Sequence, residues 1–427
     1  MFIIDIRTYI RWTGGEMMNA IRFIHTADLH LDSPFKGLQY LPKSIFNRIQ
    51  ESTFFSFTKI VDSAISMNVD FVLICGDLYD GEDRSIKAQA RLRKQMERLH
   101  MAGIDAFVLY GNHDHLSGNW TTIEMPPNVH LFSSEVEMKP YISKAGVKVH
   151  IYGFSYPERH VTDKRINDYE KIDGADFHIG MLHGHCEGSN TAHQPYAPFS
   201  ISDLIEKKMD YWALGHIHKQ QLLHTESKPY IIYPGNIQGR HRKESGKKGC
   251  IAVELSEYET TFEQIETADI IWENLMLDAT SIKTFSDLYG LCKKEIENLR
   301  LPAQGILLQL EIMNIDGLEN GVLDKIRNGE LLEVLQDGEE YEESFVWTYR
   351  VDYLSNELVT EVESAFKQEL EITISELNGK EVFDEATADL FGHILSSRYL
   401  DILSEEEKKE LVAEAEQMVY ELLQSNT

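Results

Sequence analysis

The sequence predicts an α/β protein with a smaller domain behind it, and two observations carry that expectation. Between Ile21 and Ser256, apolar runs of strand length alternate with amphipathic runs of helix length. Clusters of Asp, His and Asn follow directly on the apolar runs, at the C-terminal ends of strands, where open α/β architectures hold ligands.

In chain order, IRFIHTADLHLD (Ile21 to Asp32) is a strand running into a polar loop. Phe46 to Asn68 reads as an amphipathic helix and Val69 to Asp80 as a buried strand with its loop. Ser85 to Met101 is a second helix, and Ile104 to Asp114 another strand and loop. VKVHIYGFSY, DFHIGMLHGH, MDYWALGHIH, YIIYPGN and CIAVELS continue the series. Motif density ends around Thr267 to Thr280. Beyond it, a helix over Phe285 to Leu299 and strands in QGILLQLEIM and Glu342 to Leu354 predict a small α+β domain. From Glu361 the chain is acidic and helical, with a capping box opening at Ser404. Leu411, Val412, Ala415, Met418, Val419, Leu422 and Leu423 form an apolar stripe that either packs on its own domain or docks on a partner. The expected boundaries are 18–275 for the main domain, 276–355 for the small one and 356–427 for the helical tail. Residues 1–17 read as a non-native extension: Gly14-Gly15-Glu16 corresponds to purine-rich codons resembling a ribosome-binding site ahead of Met17 or Met18.

Composition narrows the function classes. No run of about 18 uncharged apolar residues occurs and no cleavable leader is visible, so a cytoplasmic protein without membrane spans is expected. Cys75, Cys186, Cys250 and Cys292 lie far apart, which suggests neither a disulfide framework nor a zinc knuckle. The net charge of −29 argues against a polyanionic ligand, but it is unevenly spread. From Ser281 onward there are 12 Lys/Arg against 33 Asp/Glu, a net of −21, which leaves −8 for the first 280 residues.

The strand-end residues have the chemistry of a metal centre. Asp28 and His30 at spacing i, i+2 can turn to one side as a strand breaks into a loop. Asp77 follows Gly76, where the missing Cβ lets the backbone turn beneath a cation. One carboxylate can bridge two cations, and a bridged pair can clamp a phosphoryl group. Asn112 adds an amide oxygen; His183, His216 and His218 add imidazoles. Such mixed N/O donors suit Mn, Fe or Zn better than Ca or Mg. His185 competes with His183, which is preferred because it directly ends the apolar run HIGML. Nothing in spacing promotes His25, His115, His193 or His241.

The motif order DxH, GDxxD, GNHD, an isolated His and GHxH resembles the calcineurin-like metallophosphoesterase superfamily over roughly Ile21 to Ser256. That resemblance implies a two-sheet sandwich flanked by helices and a dinuclear centre, with Mn²⁺ the expected metal. One cation would take Asp28, His30, Asp77 and His218; the other would take Asp77, Asn112, His183 and His216. His113 would act as proton donor rather than ligand, with Asp80 orienting it, and Asp114 would be structural.

Among branches, phosphoprotein phosphatases carry Arg after GDxxD, where this chain has Gly81. HTADLHLDSPF, CGDLYD, LYGNHD, MLHGH, ALGHIH and YPGNIQGR are similar to the DNA repair exonuclease branch of SbcD-like and especially YhaO-like proteins. This implies hydrolysis of DNA phosphodiesters by water activated at the metal pair, a cap domain, and an SMC-like coiled-coil ATPase partner (SbcC-like) contacted by C-terminal helices. GRHRKESGKKG supplies Arg240, Arg242, Lys243, Lys247 and Lys248, which either track DNA phosphates or form a solvated hairpin loop. The alternatives are a small-molecule or cyclic-nucleotide phosphodiesterase, whose extra domain would serve a homodimer or other oligomer, and a non-catalytic scaffold.

Overall fold

The computed structural model describes residues 20–80, 85–117, 121–188, 196–319, 321–354 and 364–391, with scattered positions from 403 to 419. The N-terminal extension, Gly81, His193, the capping box at Ser404 and the stripe residues Met418, Leu422 and Leu423 lie outside them. Two compact units divide the chain. The first holds residues up to Ser33, Glu51–Gly239 and Gly246–Asp269; the second holds Pro34–Gln50, Arg240–Ser245 and residues from Ile270 on.

In the first unit the strands are β1 (Ala20–Thr26), β2 (Phe71–Cys75), β3 (Asp105–Leu109), β4 (Val129–Leu131), β5 (Glu137–Ile142) and β6 (Lys148–Gly153). They continue with β7 (Phe177–His183), β8 (Tyr211–Gly215), β9 (Gln221–His224), β10 (Tyr230–Tyr233), β11 (Gly249–Ser256) and β12 (Thr260–Glu266). Helix α1 (Lys43–Ser66), from Glu51 on, belongs here together with α2 (Ile86–Met101) and α3 (Ile201–Glu206). The α2 N-terminus is capped by the Ser85 hydroxyl, which accepts from the Ala88 amide at 2.9 Å. One six-stranded sheet has the order β12-β11-β1-β2-β3-β4, the other β5-β6-β7-β8-β10-β9. Strands β1 to β4 run parallel, as do β6, β7, β8 and β10, so each sheet has a common C-terminal edge.

Period-two alternation builds three layers of core. Phe71, Leu73 and Cys75 of β2 face inward with Phe23, Phe107, Ile179, Tyr211 and Ala213, a core drawn from both sheets. Val72 and Ile74 face the other way, onto Phe57, Ile60 and Val61 of α1 and Leu92 and Met96 of α2. On the far side of the second sheet, Leu182, Trp212 and Tyr233 pack with Tyr156, Tyr169 and Phe199. The result is the two-sheet sandwich with flanking helices that the motif order implied. All four cysteines are free and buried. Among the described residues no helix is long and apolar enough to cross a membrane.

The second unit is built on β13 (Ile270–Asp278), β14 (Gly305–Met313) and β15 (Val346–Leu354), all parallel. Helix α4 (Phe285–Leu299) makes the first crossover, and α5 (Val322–Arg327) with α6 (Glu330–Gln336) the second. Ile270, Trp272, Leu307, Phe345 and Trp347 of this unit pack against Phe35, Leu38, Leu41, Ile45 and Ile49. Strand β13 spans the region read from sequence as a boundary. Its fragment WENLMLD alternates half-buried and exposed residues too weakly to announce a strand. Helices α7 (Ser364–Leu377), α8 (Lys380–Ala386) and α9 (Ala388–Phe391) follow. In the tail stripe Val412 is buried and Leu411 is 39% exposed.

Gly215 is a tight point between the two sheets, where an added Cβ would stand 1.8 Å from the Cys75 carbonyl oxygen. That neighbour is backbone and cannot rotate away. Gly215→Ala is therefore expected to lower the stability of the first unit by about 3 kcal/mol, read as a shift in its chemical-denaturation midpoint.

Candidate metal centre

At the C-terminal strand edges the two sheets bring together all nine residues singled out as ligands or catalytic groups. The loop after β1 lies along the loop after β2: Asp28 N donates to Gly76 O (3.1 Å), His30 N to Asp77 O (3.0 Å) and Leu31 N to Leu78 O (2.9 Å). The loop after β3 joins through Asp114, whose carboxylate accepts the Leu78 and Gly111 amides at 2.7 Å each. Asp114 is thus a backbone tie between two loops. From the second sheet, the His216 amide donates to both oxygens of Asp28 at 3.1 Å.

Local conformation here is strained in a consistent way. Asp28, His30, Asp77 and His216 have φ of 50°, 42°, 51° and 101°. Side chains rarely adopt this region, at roughly 1–3 kcal/mol each, and such residues cluster at functional sites. Glycines make the space beside them. A Cβ on Gly76 would lie 2.3 Å from His183 Nδ1, and one on Gly111 would lie 2.3 Å from Asp77 Oδ1.

Donor geometry fits cations. His183 Nδ1 faces Cys75 O at 2.9 Å, and a carbonyl can only accept, so Nδ1 carries the hydrogen. When the ring is neutral, its Nε2 lone pair points at Asn112 Oδ1 (3.1 Å) and Asp77 Oδ2 (3.5 Å), a convergence of three electron-rich atoms that a cation would satisfy. His30 Nε2 and His218 Nε2 stand 3.1 Å apart, with Asp77 Oδ2 4.0 Å from the former. Asp28, His30 and His218 form one group of ligand atoms within 4.8 Å of one another, and Asp28, Asp77 and His183 another. Asp28 is common to both groups, and Asp77 Oδ2, near His183 and His30 alike, is placed to serve both as well. His216 joins by its ring, 5.2 Å from that of His183. His183 rather than His185 is the imidazole beside Asp77; the His185 ring lies 6.4 Å from that of His216.

His113 differs from the buried set. Its side chain is 30% exposed, its amide donates to Asp77 Oδ1 (3.0 Å), and its ring meets His30 edge-on at 5.1 Å. Asp80 faces both rings: its Oδ1 is 3.5 Å from His30 Nδ1 and 3.8 Å from His113 Nδ1, while its Oδ2 accepts from Ser33 Oγ at 2.6 Å. Sequence reading missed the supports behind the centre. Tyr156 Oη donates to His183 O (2.8 Å) and Tyr233 Oη to Gly184 O (2.6 Å). Each tyrosine ends an apolar run, the one signal that could have found it.

The basic segment divides. Arg240, Arg242 and Lys243 belong to the second unit, and Lys247 to the first, where it pairs with Glu266. Lys248 does not meet the expectation of a phosphate contact. It is 7% exposed and its ammonium donates to His218 O at 3.2 Å, so it supports a candidate ligand's backbone instead.

Burial alone would raise the Asp77 pKa, but His183, His113 and His30 around it hold it well below the usual carboxylate range. For His183, burial acts to lower the pKa. The Asp77 and Asp28 carboxylates and the Cys75 carbonyl outweigh it, raising the pKa from 6.5 to about 9. Without cations a proton thus neutralises the cluster. This stabilisation is complete below pH 6.5 and lost as pH rises through about 9. Metal-free protein should therefore lose stability across that window. Titrating in Mn²⁺ at pH 7 should release about one proton, measured as a buffer-dependent heat that shrinks above pH 9.

The match to calcineurin-like phosphoesterases covers residues 21–220, which contain every ligand candidate. The chain is 42% identical to the metallophosphoesterase YhaO of Bacillus subtilis (strain 168), over 94% of this chain and 97% of that protein. It is 26% identical to the DNA double-strand break repair protein Mre11 of Methanocaldococcus jannaschii, over 58% of this chain and 66% of that protein. Against the Mre11 of Sulfolobus acidocaldarius the figure is 24%, over 92% and 97%. With its strand-end carboxylates and imidazoles drawn from two sheets, the chain belongs to the calcineurin-like metallophosphoesterase family.

Proposed function

We propose that this chain is a metal-dependent phosphodiesterase whose substrate is DNA. The observation that carries the phosphodiester chemistry is Asp77 Oδ2 lying 3.5 Å from His183 Nε2 and 4.0 Å from His30 Nε2, one histidine from each set of ligand atoms, with a half-buried histidine, His113, at their edge. Divalent cations, Mn²⁺ by our reading, held by Asp28, His30, Asp77 and His218 and by Asp77, Asn112, His183 and His216, would supply Lewis-acid charge and acidify water.

The chain's own groups do the rest. Asn112 and the histidines orient the phosphodiester by fixing where positive charge sits. His113 gives a proton to the leaving oxygen, held in place by its amide on Asp77 and by Asp80 beside its ring. Ser33 tethers the Asp80 carboxylate, so the His113 ring is oriented from a fixed point. Support for DNA comes from the relatives whose names state DNA double-strand break repair, and from Arg240, Arg242, Lys243 and Lys247 as phosphate contacts. The apolar C-terminal stripe, in which Leu411 is 39% exposed, is the candidate contact for an SMC-like coiled-coil ATPase.

With Mn²⁺ present, linear duplex and single-stranded DNA should be degraded, while cyclic nucleotides and a chromogenic diester turn over poorly. Rapid turnover of the small esters with DNA left intact would overturn the substrate. His113→Ala should lose about 10²- to 10⁴-fold in turnover with unchanged metal content; lost metal would instead make His113 a ligand. Neutralising Arg240, Arg242 and Lys243 together should flatten the salt dependence of DNA binding by about three in log–log slope. An unchanged slope would remove the loop from the interface.

A further inference from the structure

His25 stands apart from the metal ligands, yet it is fully buried in an otherwise apolar layer between the two sheets. It lies on β1, three residues before Asp28, surrounded by Phe23, Leu73, Tyr211 and Ile251. Its ring nitrogens both reach β8. Nε2 lies 3.0 Å from Leu214 O and Nδ1 lies 3.0 Å from Tyr211 Oη. Because the carbonyl must accept, Nε2 carries the hydrogen, and Nδ1 accepts from the tyrosine hydroxyl. Burial lowers the His25 pKa to about 3, only partly opposed by the Leu214 hydrogen bond, so the ring is neutral and this tautomer is the stable one.

Stability does not explain such a residue. Replacing a buried polar pair by well-packed apolar groups of the same shape is close to neutral, and Phe or Leu would suit the surrounding layer. What the histidine adds is direction. It joins the strand that delivers Asp28 and His30 to the strand that delivers His216 and His218, and it does so one residue before Gly215. The joined atoms belong to different sheets, with no shared ladder hydrogen bonds to set their relative height. Sliding of β1 against β8 would alter both the His216 N–Asp28 contacts and the 3.1 Å approach of His30 to His218.

We propose that His25 is a positioning residue, an inter-sheet clamp that sets the height of β1 against β8 and thereby the spacing of the ligands that hold the metal pair. This rests on the reading of the strand-end cluster as a two-cation centre.

The test uses the full chain with Mn²⁺ alone as probe. Calorimetry gives affinity and stoichiometry, and electron paramagnetic resonance gives the exchange coupling between two bound Mn²⁺ ions. Wild type should bind two ions with a coupled signal; failure of wild type to do so overturns the centre itself. His25→Phe should keep its circular dichroism and melt somewhat lower, because Tyr211 Oη and Leu214 O lose their partner, but it should bind Mn²⁺ about 10- to 100-fold more weakly and lose the coupling. His25→Gln, which can still donate to Leu214 O, should recover most of both. If wild type binds a coupled pair and His25→Phe matches it in affinity and coupling, the clamp is wrong while the centre stands. Should His25→Phe fail to fold, His25→Met, apolar and adaptable in shape, decides. It too removes both hydrogen bonds, and an unchanged coupling and affinity would equally overturn the clamp.

Discussion

Hydrogen bonds that cross from one sheet to the other at the C-terminal strand edges are the constraint on which the rest of the first unit depends. The Asp28 carboxylate takes the His216 amide, and the His183 ring takes the Cys75 carbonyl. Both partners of the first contact and one of the second are candidate ligands. Assembly of the sandwich and assembly of the centre are therefore one event. Apolar contact between the sheets is not directional and would tolerate sliding; these few polar contacts are what make a single alignment preferable.

Their position has an electrostatic consequence. Two carboxylates and several imidazoles are taken almost wholly out of water, which is tolerable only if opposite charge accompanies them. In the absence of cations a proton on His183 answers Asp77; in their presence the same lone pairs are free to ligate. Strained backbone at Asp28, His30, Asp77 and His216 adds to the energy stored there. Three stacked layers of buried apolar side chains, and the tie that Asp114 makes between loops, hold the strain in place.

The charge of the chain also makes better sense once divided. Most of the negative excess lies after Ser281, and the first 280 residues carry a net of −8. Glu339 shows how acids there are used: buried, it accepts the Val346 amide and pairs with Arg300. Conversely, the basic run near Gly239 is less basic in effect than in composition, because Lys248 is buried and Lys247 is paired.

Sequence by itself determined the fold class, the apolar strands that carry the motifs and the residue types of the centre. Strand-length apolar runs ending in Asp, His and Asn are local features, set by period-two burial and by the need for a loop where a ligand side chain turns. It could not determine that Asp28, His30, Asp77 and His216 would take positive φ, because nothing in residue type demands it; the contacts of these loops with one another accompany it. His25 and Lys248 were illegible for a related reason. Each acts on a carbonyl oxygen of a residue far along the chain, Leu214 and His218, and backbone carbonyls carry no sequence signature. Pro34–Gln50 likewise joined the second unit through side-chain packing with residues more than two hundred positions away. Local pattern decides which residues are available. Only the packing of one sheet on another decides which of them meet.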